Sequence, residues 1–182
     1  MATVRLKTRL FNRISFFPER GLSNDIAEAP AYRLLLRLVL FESHAEPIKQ
    51  TALDYEDKRK TDAVVDTGSA FSVFSYRTWK SVEKEIRWLK RPTKIDGSEY
   101  MVTVLGGRWA YRLGRIRLAA FDDRANWFEP VWTLALFLEN VPDAPNVNIL
   151  GLGSSFFKHR QLRHAGYDPG ELPIWWLEDV RE

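Results

Sequence analysis

Apolar and basic side chains alternate between residues 31 and 42: Tyr32, Leu34, Leu36, Leu38 and Leu40 hold the even positions, with Arg33 and Arg37 among the odd ones. A period of two sends successive side chains to opposite faces of a strand, so this stretch predicts a half-buried strand, the clearest in the chain. A second apolar run, Ala63-Val64-Val65, ends at Asp66, and Phe71-Ser72-Val73-Phe74 follows the turn residues Thr67-Gly68-Ser69. Residues 131–138 are apolar almost throughout, as in a central strand buried on both faces. Residues 100–105 and 108–113 flank Gly106-Gly107 like the arms of a hairpin, because a glycine pair takes the positive φ angles that tight hairpins require. Arg115-Ile116-Arg117-Leu118 alternates as an edge or one-faced strand, Ile149-Leu150-Gly151 ends another short strand, and residues 172–177 form the last apolar run.

Helical spacing is clearest after Phe74. Trp79, Val82, Ile86 and Leu89 recur every three or four residues, which predicts an amphipathic helix over residues 75–89, capped by Ser75 and stopped before Pro92. Residues 152–163 predict a second, short helix. The first seventeen residues fit both periods, since Val4, Leu6 and Leu10 alternate with basic residues while Leu6, Leu10, Ile14 and Phe17 also share a helical face. Both readings stay open. Residues 18–30, with Pro18, Gly21, Asn24 and Pro30, read as a linker, and Asp96-Gly97-Ser98 reads as a turn. The organisation expected is a basic arm and linker over residues 1–29 and one domain over residues 30–182.

Composition narrows the class. With 182 residues, 45% of them hydrophobic, the chain can bury one sizeable core. It contains no cysteine, which excludes disulfides and thiolate zinc sites and makes the cytoplasm the default location. No run approaches the ~20 apolar residues of a membrane span. The net charge of +3 is concentrated at the start, where Arg5, Lys7, Arg9, Arg13 and Arg20 face only Glu19 within the first twenty residues. A solvated basic face accounts for this, and no nucleic-acid partner is expected, because phosphate tracking wants more interleaved aromatic residues. His44, His159 and His164 lack metal-ligand spacing, so neither metal nor cofactor is expected. The tryptophans read as core or interface, with Trp109, just past the glycine pair, singled out as a binding candidate.

The candidate chemistry sits at Asp66. An apolar strand running into Asp66-Thr67-Gly68-Ser69 resembles the active-site motif of aspartic proteases. The order of that motif, the Gly106-Gly107 hairpin and Ile149-Leu150-Gly151 is similar to that of the retroviral-type, single-lobe members (retropepsins), nearer to the bacterial, free-standing ones than to the viral ones. The resemblance covers roughly residues 31–180. It implies a mainly β, closed barrel in which Asp66 is catalytic, Thr67 braces the loop, Gly68 permits the turn and Ser69 bonds the carboxylate. It further implies that Gly106, Gly107 and Trp109 belong to a flap over substrate, and that Ile149, Leu150 and Gly151 pack beneath the loop. The chain departs from the pattern in its longer Asp66 to Gly151 spacing, its short flap and its polar Gly153-Ser154-Ser155. Because the chemistry needs two carboxylates sharing one proton and the chain has one such motif, the resemblance implies a homodimer acting on a peptide or protein substrate. The competing expectation is a dimeric peptide-binding module of the same fold that does not cleave.

Overall fold

The alternating stretch around Leu38 becomes the strand on which the main sheet is built, with Leu36, Leu38 and Leu40 buried on one face and Arg37 meeting Asp62 and Asp123 on the other. The computed structural model describes residues 3–16, 27–41, 55, 57–66, 68–90, 100–124, 126–170 and 172–180. Along them run β1 (Thr3–Arg5), β2 (Lys7–Phe16), β3 (Ala27–Phe41), β4 (Lys60–Asp66), β5 (Ser72–Phe74), the helix α1 (Tyr76–Lys80) and β6 (Arg87–Trp88). β7 (Met101–Val104), β8 (Gly107–Phe121), β9 (Val131–Leu138), β10 (Ile149–Gly151), β11 (Arg160–Tyr167) and β12 (Pro173–Asp179) follow. The protein is mainly β.

Nine strands share one sheet, and its pairings form a circuit. β3 lies antiparallel to both β4 and β8, β4 is parallel to β10, β10 antiparallel to β5, β5 parallel to β9, and β9 antiparallel to β8. Each face has its own apolar cluster. Leu36, Leu38, Val65, Phe74, Phe137 and Leu150 belong to the larger one, whereas Val73, Leu136, Leu138 and Ile149 lie on the opposite face with residues of β7 and β8. A separate sheet of three strands, in the order β1-β12-β11, joins residues far apart in the chain. Val4 and Leu6 are buried in the main core, and Leu6 N–H donates to Trp175 O at 3.0 Å. The doubly periodic stretch before Phe17 is thus strand, because the period-two face has apolar neighbours to bury against.

Several sequence expectations change. Strand β3 starts at Ala27, inside the expected linker; this half of β3 pairs with β2 alone among its described neighbours, so Pro30 is tolerated where a two-sided ladder would reject it. The helix expected over residues 75–89 lasts five residues. Trp79, Val82 and Ile86 are buried as their spacing requires, but Arg87 and Trp88 pair with Arg115 and Gly114, and that sheet pairing ends the helical path. Ser75 holds the N-cap position without capping: its hydroxyl meets Asn146 Oδ1 and Thr78 Oγ1 at 3.1 and 3.0 Å. The second expected helix is only the 3₁₀ turn Ser155–Phe157, after which the chain zips onto β12 as β11. Arg115-Ile116-Arg117-Leu118 is no edge, since this part of β8 pairs along β9 and its end also pairs with β3. The Asp96-Gly97-Ser98 turn and His44 lie outside the described residues. No helix among the described residues is long and apolar enough to cross a membrane.

Candidate active site

β4 carries Ala63 and Val65 into the core and leaves Asp62, Val64 and Asp66 on its other face. Asp66 is the last residue of the strand and is partly exposed. The chain turns back at once: Gly68 N–H donates to Asp66 Oδ1 at 2.9 Å, and Ser69 N–H reaches Asp66 O at 3.4 Å. This is the side-chain-to-backbone turn that aspartate forms readily. No other side-chain hydrogen bond to Asp66 occurs among the described residues, so Oδ2 is left to solvent or a ligand.

The support below the turn comes from β10. Gly151 stands in register with Asp66, Leu152 N–H donates to Asp66 O at 3.2 Å, and Gly153 N–H donates to Ser69 O at 3.4 Å. A Cβ at Gly151 would lie 2.5 Å from Phe71 O and 2.6 Å from Ser69 O, and one at Gly153 would lie 2.8 Å from Ala70 O. Two backbones touch here, which only glycine allows. Leu150 beside them is fully buried, while Ile149 is half-buried on the Asp66 face.

Two roles expected from the sequence are redistributed. Gly68 does not have the left-handed backbone, and a Cβ there would make an ordinary 3.5 Å contact with Asp66 Oδ1, so the turn by itself does not demand glycine. Ser69 does not bond the carboxylate; its hydroxyl donates to Phe71 O at 2.7 Å and tightens the exit from the turn. Thr67 lies outside the described residues.

The hairpin of β7 and β8 turns on Leu105 and Gly106, with φ of 49° and 80°, and Val104 pairs with Gly107. Successive positive φ values mark a two-residue turn of the primed kind, one residue earlier than the glycine pair suggests. Gly107 instead makes room for an indole: a Cβ there would be 2.6 Å from the Trp109 ring, which lies over it and donates Nε1–H to Val104 O at 3.1 Å. Trp109 is thus built into the hairpin rather than held out from it. Together with Val102 and Val104 it packs on the cluster containing Val73 and Ile149. Since parallel partners point the same way, Ile149 shares its face with Val64 and Asp66, and the hairpin covers the face of the sheet that bears the carboxylate.

No protein-family model and no curated protein matches this chain. Among solved structures, the chain is similar to a retropepsin-like aspartic protease from Rickettsia conorii, 11% identical over 94% of each chain, with a TM-score of 0.38.

Two features near the turn escape the sequence pattern. A groove of about 400 Å³ lies against Ala70, Phe71, Trp132, Leu134, Gly153 and Ser154. Phe71 is 47% exposed, and the buried hydroxyl of Ser154 has no hydrogen-bond partner among the described residues. Asn148 is the second. It is buried, accepts Ser75 N–H on Oδ1 at 3.1 Å, and donates through Nδ2 to Thr61 Oγ1 at 2.7 Å and Asp62 O at 3.1 Å. It thereby ties β4, on its way to Asp66, to the start of α1. Its one sequence signal was an isolated polar residue before an apolar strand. Among the described residues no group of His, Cys, Asp and Glu is placed to hold a metal ion.

Proposed function

We propose that this chain is an aspartic-type endopeptidase on a retropepsin-like closed barrel, with the main domain over residues 30–182 and the stretch over residues 1–29 contributing β1, β2 and the start of β3. The observation that carries the reading is the seat of Asp66: a carboxylate at a strand end, fixed by Gly68 N–H, underpinned by Gly151 and Gly153, with one oxygen unengaged. The circuit of pairings through β3 supports the barrel, and the hairpin lying on the carboxylate's face supports a flap.

One such carboxylate is half of a site. In a twofold dimer the two Asp66 groups share a proton, so that the ionised one takes a proton from water while the other donates to the scissile carbonyl. The water oxygen bonds to the carbonyl carbon, and transfer of a proton to the amide nitrogen releases an amine and a carboxylic acid. The groove beside Phe71 and Trp132 offers apolar surface to substrate side chains, and the Ser154 hydroxyl offers a partner to substrate backbone. A cysteine-free chain suits the reducing cytoplasm.

The deciding experiment is cleavage of a random peptide library by the wild type and by Asp66→Asn. The variant is expected to keep its circular dichroism and its dimer while losing cleavage by at least about a thousandfold, the scale of removing a group that acts as a unit with its partner. A wild type that binds peptides without cutting them, or a variant that cuts like the wild type, overturns the peptidase reading.

A further inference from the structure

A concave pocket of about 300 Å³ lies where the three-stranded sheet meets the larger one, between the β1–β2 segment, β3 at Arg37, the turn at residues 122–124 and the approach to β12. Leu6, Leu35 and Pro173 give it an apolar lining. Its charged groups are unequally employed. Asp122, only 4% exposed, accepts Arg5 N–H at 3.2 Å, Arg124 N–H at 2.9 Å, and both the backbone and side-chain amides of Asn126 at 3.0 and 3.1 Å. Asp168 accepts Gly170 N–H and Leu172 N–H at 3.0 and 2.9 Å. Asp123 pairs with Arg37 and, at 3.9 Å, with Lys7.

The carboxylates are therefore committed to loop backbone or to Arg37 and Lys7. Arg5, Arg9 and Arg124 line the same pocket with no acidic partner among the described residues. Arg5, Lys7, Arg9, Arg37 and Arg124 outnumber Asp122, Asp123 and Asp168 in the lining, so the hollow keeps a positive balance, and each guanidinium without an ion-pair partner presents a fork suited to carboxylate or phosphoryl oxygens. The apolar lining asks for a ligand with some carbon body, and the volume suits a small one.

We propose that this pocket is a binding site for a small organic anion: a short apolar body with an oxyanion head, phosphoryl or carboxylate, held by Arg5, Arg9 and Arg124. The site is separate from the candidate active site. Arg37 pairs with Asp62, four residues before Asp66 on β4, or about 13 Å along the strand. The proposal does not rest on the peptidase reading.

Titration calorimetry of the full chain tests it with hexyl phosphate and hexanoate as probes and hexanol as the uncharged control. At least one of the anions is expected to bind saturably, about tenfold or more tighter than hexanol, and the better one identifies the head group. Added salt should weaken it. Arg9→Ala/Arg124→Ala, two exposed side chains, should lower that affinity by at least about tenfold through lost charge-assisted bonds, with an unchanged melting temperature. Arg124→Ala alone serves if the double variant is unstable. Asp66→Asn should bind like the wild type. Anions that bind no better than hexanol, or equal binding by the folded arginine variants, overturn the proposal.

Discussion

A methyl group at Gly151 has nowhere to go, because the carbonyls of Ser69 and Phe71 already occupy its space from the neighbouring chain segment. Gly151→Ala should force β10 away from the turn and cost about 1–3 kcal/mol, read as a lower urea midpoint, whereas Gly68→Ala, with only an ordinary contact to make, should cost less. Equal losses at the two positions would mean that the close approach of backbones is not what the loop depends on. Asn148→Ala should likewise destabilise by about 1–3 kcal/mol, since it strands the buried Ser75 N–H and removes the amide from the part-buried Asp62 O. At this scale the sequence was legible where chemistry is local. Asp66 at the end of an apolar run, and Gly151 after another, could be found by pattern. The partner of the Ser69 hydroxyl could not, because Phe71 O becomes available only through the path of the folded turn, and neither could Asn148, whose partners lie more than seventy residues away.

The hairpin of β7 and β8 is held at its tip by local means: two positive-φ residues, a glycine beneath an indole, and one indole-to-carbonyl bond. Gly107→Val should therefore displace Trp109, and Gly106→Val should strain a backbone that valine rarely adopts. Both are expected to raise KM and lower kcat together for peptide substrates, under conditions where the variants are still fully folded, along with a lower urea midpoint from the strain. Unaltered kinetics in both variants would show that this hairpin does not close over substrate. Its existence was readable from the glycine pair, but the turn falls on Leu105 and Gly106, a shift decided by the register with which Val104 meets Gly107. The helices were overread for a related reason. Residues 75–89 have the apolar spacing and residues 152–163 are expected from the sequence to form a short helix, yet a short helix is worth little on its own, and strand partners from β8 and β12 claim the later part of each stretch.

At the scale of the molecule, the peptidase reading requires a second copy. Specific activity should fall on dilution below the dimer dissociation constant, and excess Asp66→Asn should suppress the wild type through mixed dimers. A monomer with full turnover per chain would rule out the shared carboxylate site. The strand over residues 173–179, attractive from its tryptophans as an interface, has no free edge, since β12 is flanked by β1 and β11, and Trp175 and Trp176 are half-buried. Phe71, exposed beside the turn, lines the groove proposed for substrate, and Phe71→Asp should raise KM for peptides without weakening the dimer in sedimentation. The position of β12 also bears on how the chain matures. Thr3 pairs with Glu178, and Val4 with Leu177, so during synthesis β1 has to wait for β12 before it can dock. A nascent chain whose β12 is still inside the ribosome leaves Val4 and Leu6 uncovered, and closing so long a loop is slow. Until that strand emerges the protein on the ribosome is an unfinished one, with a strip of its core open to whatever apolar surface it meets.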